Sequence, residues 1–286
     1  MALPSAVRAM LDPSMYPHVV TSVSLLQTQI SFIFLTGSYV YKVKKPVDLG
    51  YLDYTTLAKR EYFCHQELKL NSRLSSDVYL EVVPIVRQDN HFSLGGIGEV
   101  VEYAVKMRQL PSDRMMDVLL SKDCVSQEMV ERLAAKLAGF HQRAQTNAEI
   151  ASYGSLNAIL ANTEENFGQT LAYLGVSLSP EQYRNTRAYT DGFAVQNREL
   201  FEERKRAGKI RDCHGDLHTA HVCFVDGIPI FDCIEFNDRF RYCDVASEIA
   251  FLAMDLDYHH HPQLSSQFVD AYVSAAQDKE LPRLVN

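Results

Sequence analysis

The feature that most constrains the fold is a change of hydrophobic pattern near residue 107. Before it, the segment ISFIFLTGSYVYKVKK holds two β-branched and aromatic runs around Thr36-Gly37-Ser38, which predicts a β-hairpin. A helical stretch follows over about 54–74. The runs VYLEVVPIVR and EVVEYAVKMRQL then flank a glycine-rich turn at 95–98. The order strand, strand, helix, strand, strand predicts a small antiparallel sheet with one helix beside it.

Beyond Pro111 the pattern becomes helical, with apolar residues recurring at three- and four-residue spacing. The predicted helices cover 125–144, 155–174, 180–207, 244–256 and 263–276. Two short strand candidates interrupt them, at 222–225 and 228–231 around Asp226-Gly227, and predict one further hairpin.

These patterns predict an α+β fold with two lobes in a chain of 286 residues. Residues 1–107 would form a small antiparallel β lobe with one helix. Residues 108–286 would form a larger, mainly helical lobe that contains the hairpin.

Several classes of protein are disfavoured. No apolar run approaches the roughly 18–20 residues that span a bilayer, so we expect no membrane association. The first 20 residues lack a charged start followed by an apolar core, so they do not resemble a signal peptide. The six cysteines form no CxxC pair, which disfavours a zinc ribbon or a thioredoxin-type site and favours reduced thiols in a cytoplasmic protein.

The formal net charge of −8 is unevenly distributed. Residues 208–286 carry 6 Lys and Arg against 13 Asp and Glu, a net charge of −7. An acidic segment repels phosphate backbones, so we expect no nucleic-acid partner. The same charge would attract a cation, a metal ion or a metal-bound nucleotide.

The densest group of polar residues is His214-Gly215-Asp216-Leu-His-Thr-Ala-His221, followed by the predicted hairpin and Asp232. The glycine permits a tight backbone that presents Asp216 on a loop. The hairpin would return Asp232 towards that loop. Two carboxylates near one point suit phosphoryl transfer, in which one acts as a base and the other binds a divalent metal. Alternatively, both could bind metal.

The pattern HGDxxxxN, followed by a hairpin and an aspartate, is typical of the aminoglycoside phosphotransferase/choline kinase branch of the protein-kinase-like fold. This chain resembles that branch in HGDLHTAH…IFDCIEF and in its two-lobe layout. Within the branch it is most similar to a little-characterised bacterial aminoglycoside phosphotransferase-like group. Some members carry an extra P-loop domain, but no GxxxxGK[ST] occurs here. The chain ends at LPRLVN, where relatives usually continue with further helices, so we expect a truncated C-terminal lobe.

The resemblance implies a role for each matching residue. Asp216 corresponds to the catalytic aspartate that orients or deprotonates the acceptor hydroxyl, and Asp232 to the metal-binding aspartate. Lys42 corresponds to the lysine that holds the nucleotide α- and β-phosphates. Glu67 is the best match for the helix glutamate that pairs with this lysine, with Glu61 as its rival on the same helix.

The remaining implied positions concern nucleotide binding and the catalytic loop. Met107, Arg108 and Leu110 correspond to the hinge, where backbone groups of Arg108 and Leu110 would meet adenine. Ser31 would lie where a loop covers the phosphates. His214 is a second catalytic candidate, although bracing of the loop by hydrogen bonds is the favoured role.

One position departs from the pattern. The family asparagine that helps to hold the metal is His221 here, and imidazole is a poorer partner than a carboxamide oxygen for Mg²⁺. Activity could therefore be weak, shifted towards Mn²⁺, or lost.

The resemblance implies an ATP-dependent kinase that uses Mg²⁺, or alternatively Mn²⁺, and phosphorylates a small-molecule hydroxyl. A nucleotide-binding pseudokinase with a regulatory role is the first alternative. A metal-dependent phosphoesterase is the second, with the metal bound by His214, Asp216, His218, His221 and Asp232. Acidic residues expected to border the acceptor cleft favour a cationic acceptor. They are Glu235, Asp238, Asp244, Glu248, Asp255 and Asp257.

Overall fold

The computed structural model describes residues 3–89 and 91–285. Its main sheet is antiparallel, with the strand order β1-β2-β3-β6-β4-β5. The strands are β1 (Ser24–Gln27), β2 (Ser31–Leu35), β3 (Tyr39–Lys44), β4 (Tyr79–Gln88), β5 (His91–Leu94) and β6 (Glu99–Arg108). A second, two-stranded antiparallel pair consists of β7 (Ile210–Asp212) and β8 (Tyr242–Asp244).

Helices follow the sheet along the chain, apart from two that belong to its own part of the sequence. These two are α1 (Ser5–Ala9) and α2 (Leu57–Ser75). The others are α3 (Met116–Leu120), α4 (Gln127–Arg143), α5 (Ala148–Ser152), α6 (Leu156–Thr170), α7 (Pro180–Gln196), α8 (Arg198–Arg206), α9 (Asp238–Arg241), α10 (Val245–Tyr258), α11 (Pro262–Ala276) and α12 (Pro282–Val285). None of the described helices is both long and apolar enough to cross a membrane.

The predicted hairpin of the sheet is confirmed, with Ile33 opposite Lys42 across β2 and β3. The runs at β4 and β6 are antiparallel neighbours, as predicted. The edge strands β1 and β5 escaped prediction. Strand β1 (SLLQ) has no alternation of apolar and polar residues, and β5 (HFSL) alternates over only four residues, which is too short for the period to stand out.

Two predictions for the helical part are corrected. The single helix expected over 180–207 is divided at Asn197, whose side chain donates to the Phe193 carbonyl at 3.0 Å. The strands expected around Asp226-Gly227 reduce to one antiparallel bridge, Val222 with Ile230. A positive φ of 46° at Ile228 twists the chain there, so the turn is present but the flanking runs do not extend into strands.

The two faces of the main sheet pack differently. One face buries Phe34, Tyr41 and Ile85 against α1. The other carries Lys42 and Val105 and faces α2 and a cleft. The main helical core is separate and lies among α4, α10 and α11.

Helix α2 joins these two parts of the molecule. Arg73 donates from its guanidinium to the carbonyls of Asp212 and Cys213, at 2.9 and 2.8 Å. Ser75 donates to the Ile230 carbonyl at 2.6 Å. The helix beside the sheet is therefore anchored on both sides of the loop His214-Gly215-Asp216, which we call the HGD loop.

Candidate active site

Asp216 lies on a loop that follows β7 and is held by buried hydrogen bonds. Gly215 adopts a φ of +87°, and a Cβ there would lie 2.9 Å from the Phe240 backbone oxygen. The Glu248 carboxylate accepts from the N–H groups of His214 and Gly215, at 2.7 and 2.8 Å. The resulting turn leaves 41% of the Asp216 side chain exposed.

Glu248 belongs to a buried relay that reaches into the helical core. Its Oε2 lies 2.6 Å from His141 Nε2, and His141 Nδ1 lies 2.6 Å from the Tyr272 hydroxyl. Burial would raise the pKa of Glu248, but the hydrogen bond and charge of His141 and the loop N–H groups outweigh burial and hold that pKa below its usual value. The sequence predicted that Glu248 borders the acceptor cleft. Its carboxylate instead accepts hydrogen bonds from the backbone of the HGD loop.

His214 is fully buried and uses both ring nitrogens inside the fold. Its Nε2 lies 2.9 Å from the Phe231 carbonyl, and its Nδ1 lies 3.3 Å from the N–H of Asp216. Because a carbonyl only accepts and an N–H only donates, the ring is neutral with its proton on Nε2. Burial lowers the pKa of His214 to about 4. Both ring nitrogens of His214 are therefore engaged within the fold, and neither is free to bind a metal.

Lys42 and Asp232 meet although they are 190 residues apart. Lys42 Nζ lies 2.5 Å from Asp232 Oδ1 and 2.9 Å from Glu67 Oε1. Burial alone would lower the pKa of Lys42, but the two carboxylates outweigh burial and hold that pKa well above its ordinary value. One charged cluster thus combines Lys42 from strand β3, Glu67 from helix α2 and Asp232 from the segment after the Asp226-Gly227 turn.

Asp232 adopts a left-handed backbone conformation, with a φ of +63°. Its N–H donates to the Tyr79 hydroxyl at 3.2 Å. Burial would raise the pKa of Asp232, but Lys42 and then His221 hold it well below the ordinary value. The carboxylate is therefore ionised, as a metal ligand must be.

His221 lies next to both carboxylates of the sequence prediction. Its Nδ1 is 3.8 Å from Asp216 Oδ2, and its Nε2 is 3.6 Å from Asp232 Oδ2. His218 packs beside it, with the ring centroids 3.9 Å apart. The two imidazoles therefore lie between the two carboxylates, close to the loop that carries Asp216.

Sequence reasoning missed a second lysine in the cluster. Lys44 is 1% exposed, and its ammonium contacts Glu67 Oε2 at 2.7 Å and also Glu235. Tyr54 donates to Glu235 at 2.5 Å. The signal was the spacing of two residues between Lys42 and Lys44, which places both side chains on one face of β3.

A cavity of about 560 Å³ opens between the sheet and the helical part. Lys42 and Asp232 line it, together with residues of the predicted hinge. Its lining includes Leu26, Ile33, Leu35, Val40, Val78, Tyr79, Met107, Arg108, Leu110 and Phe231. Ser31 does not line the cavity, since it is fully buried at the start of β2, and its Oγ has no hydrogen-bond partner in the described part of the chain.

The acidic residues expected to face the acceptor are largely engaged within the fold. Asp244 binds Arg204 through two hydrogen bonds, at 2.8 and 2.7 Å. Asp255 accepts from the N–H and hydroxyl of Thr219, at 2.8 and 2.6 Å. Glu235 and Glu248 are also paired within the fold, whereas Asp238 and Asp257 are exposed, so only part of the negative charge of this segment is available to an acceptor.

A separate cavity of about 410 Å³ lies beside Gly215 and is lined by Phe240, Phe251 and Met254. Its lining is mainly apolar, although residues 208–286 carry a net charge of −7. This cavity adjoins the loop that carries Asp216.

No family model matches the chain. Uncharacterized proteins of Mycobacterium tuberculosis and Mycobacterium bovis are each 31% identical to it over 265 residues, which cover 91% of this chain and 52% of each relative. The chain therefore spans about half the length of the curated relatives it matches.

A choline/ethanolamine kinase family protein from Mesorhizobium loti aligns over 95% of this chain and 76% of its own, with 12% identity and a TM-score of 0.50. The chain has the fold of that kinase family protein. An aminoglycoside phosphotransferase from Streptomyces rimosus aligns over 92% of both chains, at 15% identity and a TM-score of 0.43. The first alignment supports the fold, and the predicted kinase-like α+β architecture is confirmed.

Proposed function

We propose that the protein is an ATP-dependent phosphotransferase that phosphorylates a hydroxyl group of a small molecule. The observation that carries this proposal is the contact of Lys42 with Asp232 and Glu67 beside a cavity that Lys42 and Asp232 line. A positioned lysine, a metal-binding carboxylate and a nearby catalytic aspartate are the parts that phosphoryl transfer needs.

The cavity suits a nucleotide. Its volume of about 560 Å³ falls within the roughly 300–1,000 Å³ usual for small-molecule sites. Apolar side chains such as Val40 and Met107 would contact the adenine ring, with backbone groups of Arg108 and Leu110 beside it. Lys42 would hold the phosphates, with Glu67 fixing the ammonium. Ser31 would support the β1–β2 turn from within the sheet.

Asp216 would act on the acceptor. The bond from the γ-phosphorus to its bridging oxygen breaks, the acceptor oxygen bonds to that phosphorus, and the acceptor proton passes to the Asp216 carboxylate. A divalent ion held by Asp232 and His221 would supply charge neutralisation on the phosphates. His214 and Glu248 would keep Asp216 in position.

The acceptor would approach the side of Asp216 near Gly215, where the smaller cavity lies. We infer a hydroxyl-bearing small molecule, and a cationic one remains a prediction without support from the paired acidic residues. We also infer a cytoplasmic location, since all six cysteines are unpaired.

The test is Asp216→Asn, with Asp226→Asn as a matched control on the exposed turn. ADP release would be screened against a library of hydroxyl-bearing metabolites, and ATP binding measured by calorimetry. We expect Asp216→Asn to lower turnover about 10²–10⁴-fold while ATP binding stays nearly unchanged. Asp226→Asn should behave as the wild type. Equal turnover in Asp216→Asn and wild type would contradict the proposal.

His221 favours one alternative, a nucleotide-binding pseudokinase, because imidazole replaces the amide of the family pattern. The same screen separates the two functions. A pseudokinase would bind ATP without releasing ADP with any acceptor, and His221→Asn would then restore transfer.

A further inference from the structure

A hydrogen bond to the backbone fixes the orientation of the His221 ring. Its Nδ1 lies 2.9 Å from the backbone carbonyl of Asp216, and a carbonyl accepts only. The hydrogen bond therefore puts the proton on Nδ1 and leaves a lone pair on Nε2. In metal proteins, a hydrogen bond of this kind fixes the ring and its tautomer for ligation.

The free Nε2 of His221 faces a carboxylate oxygen that is also free. Nε2 lies 3.6 Å from Asp232 Oδ2, while Lys42 occupies the other oxygen, Oδ1. At 3.6 Å the two atoms are too far apart for a hydrogen bond. Two ligands each about 2.1 Å from one ion lie about 3.0–3.4 Å apart, so a movement of a few tenths of an ångström would complete the pair.

A second imidazole stands on the same side. His218 Nε2 lies 3.8 Å from Asp216 Oδ2, and ligand atoms of Asp216, His218 and His221 all fall within 4.8 Å of one another. His221 Nε2 and Asp232 Oδ2 form a mixed nitrogen and oxygen donor pair, and the His218 imidazole lies next to it. Mg²⁺ prefers oxygen ligands, whereas imidazole suits first-row transition ions.

We propose that His221 Nε2 and Asp232 Oδ2, with His218 and Asp216 beside them, form a site that prefers Mn²⁺ or Co²⁺ over Mg²⁺. The inference deepens the proposed function and rests on it for the role of Asp232. It differs from that function in assigning an imidazole ligand and a metal preference to this chain.

The test measures metal binding to the full chain without nucleotide or acceptor. Calorimetry would give the affinities for Mn²⁺ and Mg²⁺, and Co²⁺ absorption would report nitrogen ligation. We expect wild type to bind Mn²⁺ at least about tenfold more tightly than Mg²⁺, and His221→Asn to lose at least about tenfold of the Mn²⁺ affinity and to change the Co²⁺ spectrum. His260→Asn, at an exposed loop histidine, is the control and should bind as wild type.

Equal affinities for Mn²⁺ and Mg²⁺ in wild type, unchanged by His221→Asn, would overturn the inference. If His221→Asn does not fold, spin-echo EPR of Mn²⁺ bound to wild type decides, since ¹⁴N coupling supports the site and its absence refutes it. Tight Mn²⁺ binding without phosphate transfer to any acceptor would contradict the proposed function and leave the metal site standing. Phosphate transfer with Mg²⁺, without any preference for Mn²⁺ in binding, would contradict the metal site and leave the proposed function standing.

Discussion

Two constraints act against replacing Gly215 by a residue that has a Cβ. Its φ of +87° lies in the left-handed region, and a Cβ would meet the Phe240 carbonyl at 2.9 Å. Gly227, in the turn before Asp232, has a similar φ of +78° but open space where a Cβ would lie. Substitutions at these two glycines therefore separate the cost of backbone strain from the cost of a steric contact.

We expect Gly215→Ala to destabilise the protein more than Gly227→Ala. The left-handed conformation should cost both variants roughly 1–3 kcal/mol, and the contact with Phe240 should add to the first. Urea denaturation of the two variants and wild type measures the difference. Equal losses of unfolding free energy would show that the loop moves away from the added methyl group at no cost.

His214 makes stability depend on pH. In the unfolded chain its imidazole binds a proton near pH 6.5, but in the folded protein only near pH 4, because burial disfavours the charged ring. Between these values the unfolded state binds more protons, so stability falls as the pH falls. The difference corresponds to about 3 kcal/mol.

We expect the unfolding free energy of wild type to drop between pH 6.5 and pH 4.5, and His214→Gln to show a flatter dependence from a lower starting stability. The glutamine amide still offers a donor to the Phe231 carbonyl but does not titrate. His260→Gln, at an exposed position, should keep the wild-type slope. A wild-type slope in His214→Gln would contradict this account.

At the scale of elements, β3 and α2 together organise the charged cluster. The two-residue period of a strand places Lys42 and Lys44 on one face of β3. Glu67, on α2, then binds both ammonium groups, one with each carboxylate oxygen. Burial would raise the pKa of Glu67, but the two lysines outweigh burial and hold it below its ordinary value.

We expect Glu67→Gln to weaken ATP binding about tenfold, within the roughly 0.5–2 kcal/mol by which residues of a contact network alter affinity. The amide cannot neutralise two buried lysines, so Lys42 would shift towards Asp232 and away from the phosphates. Calorimetry with ATP measures the change. Glu61→Gln on the same helix is the matched control, and a larger effect there than at Glu67 would reverse the assignment.

At the scale of the molecule, buried charges tie the sheet to the helical part. Lys44 on β3 contacts Glu235, which is 191 residues away, and Tyr54 donates to the same carboxylate. Burial would lower the pKa of Lys44, but Glu235 and Glu67 outweigh burial and raise that pKa well above its ordinary value. Arg73 adds a second link, from α2 to the strand before the HGD loop.

We expect Lys44→Met to cost about 3–5 kcal/mol of unfolding free energy, because it leaves two buried carboxylates without their common partner. Adding Glu235→Gln should recover part of this loss by removing one of the stranded charges. Denaturation of both single variants and the double variant forms a complete cycle. A loss below about 1 kcal/mol for Lys44→Met would mean that water reaches the site.

Local pattern predicted much of this molecule. The β2–β3 hairpin, helix α2 and the helix at α4 follow from runs of apolar residues with the period of a strand or a helix, which requires no knowledge of the rest of the chain. The same reasoning failed for β1 and β5, since a strand of four residues is too short for its period to be recognised. It also overextended the strands around Asp226-Gly227, where a positive φ at Ile228 interrupts the pairing.

The sequence by itself determined the sheet with its helix, the tight turn at Gly215 and the choice of Asp216, Asp232 and Lys42 as candidates, because each depends on neighbours along the chain. Only the tertiary structure decided that Lys44 and Glu235 join the charged cluster of Lys42, Glu67 and Asp232. It also decided that Glu248 accepts hydrogen bonds from the HGD loop and that both ring nitrogens of His214 form hydrogen bonds inside the fold. Those outcomes depend on contacts between distant residues, and charge alone does not reveal which carboxylates the fold pairs and which it leaves exposed.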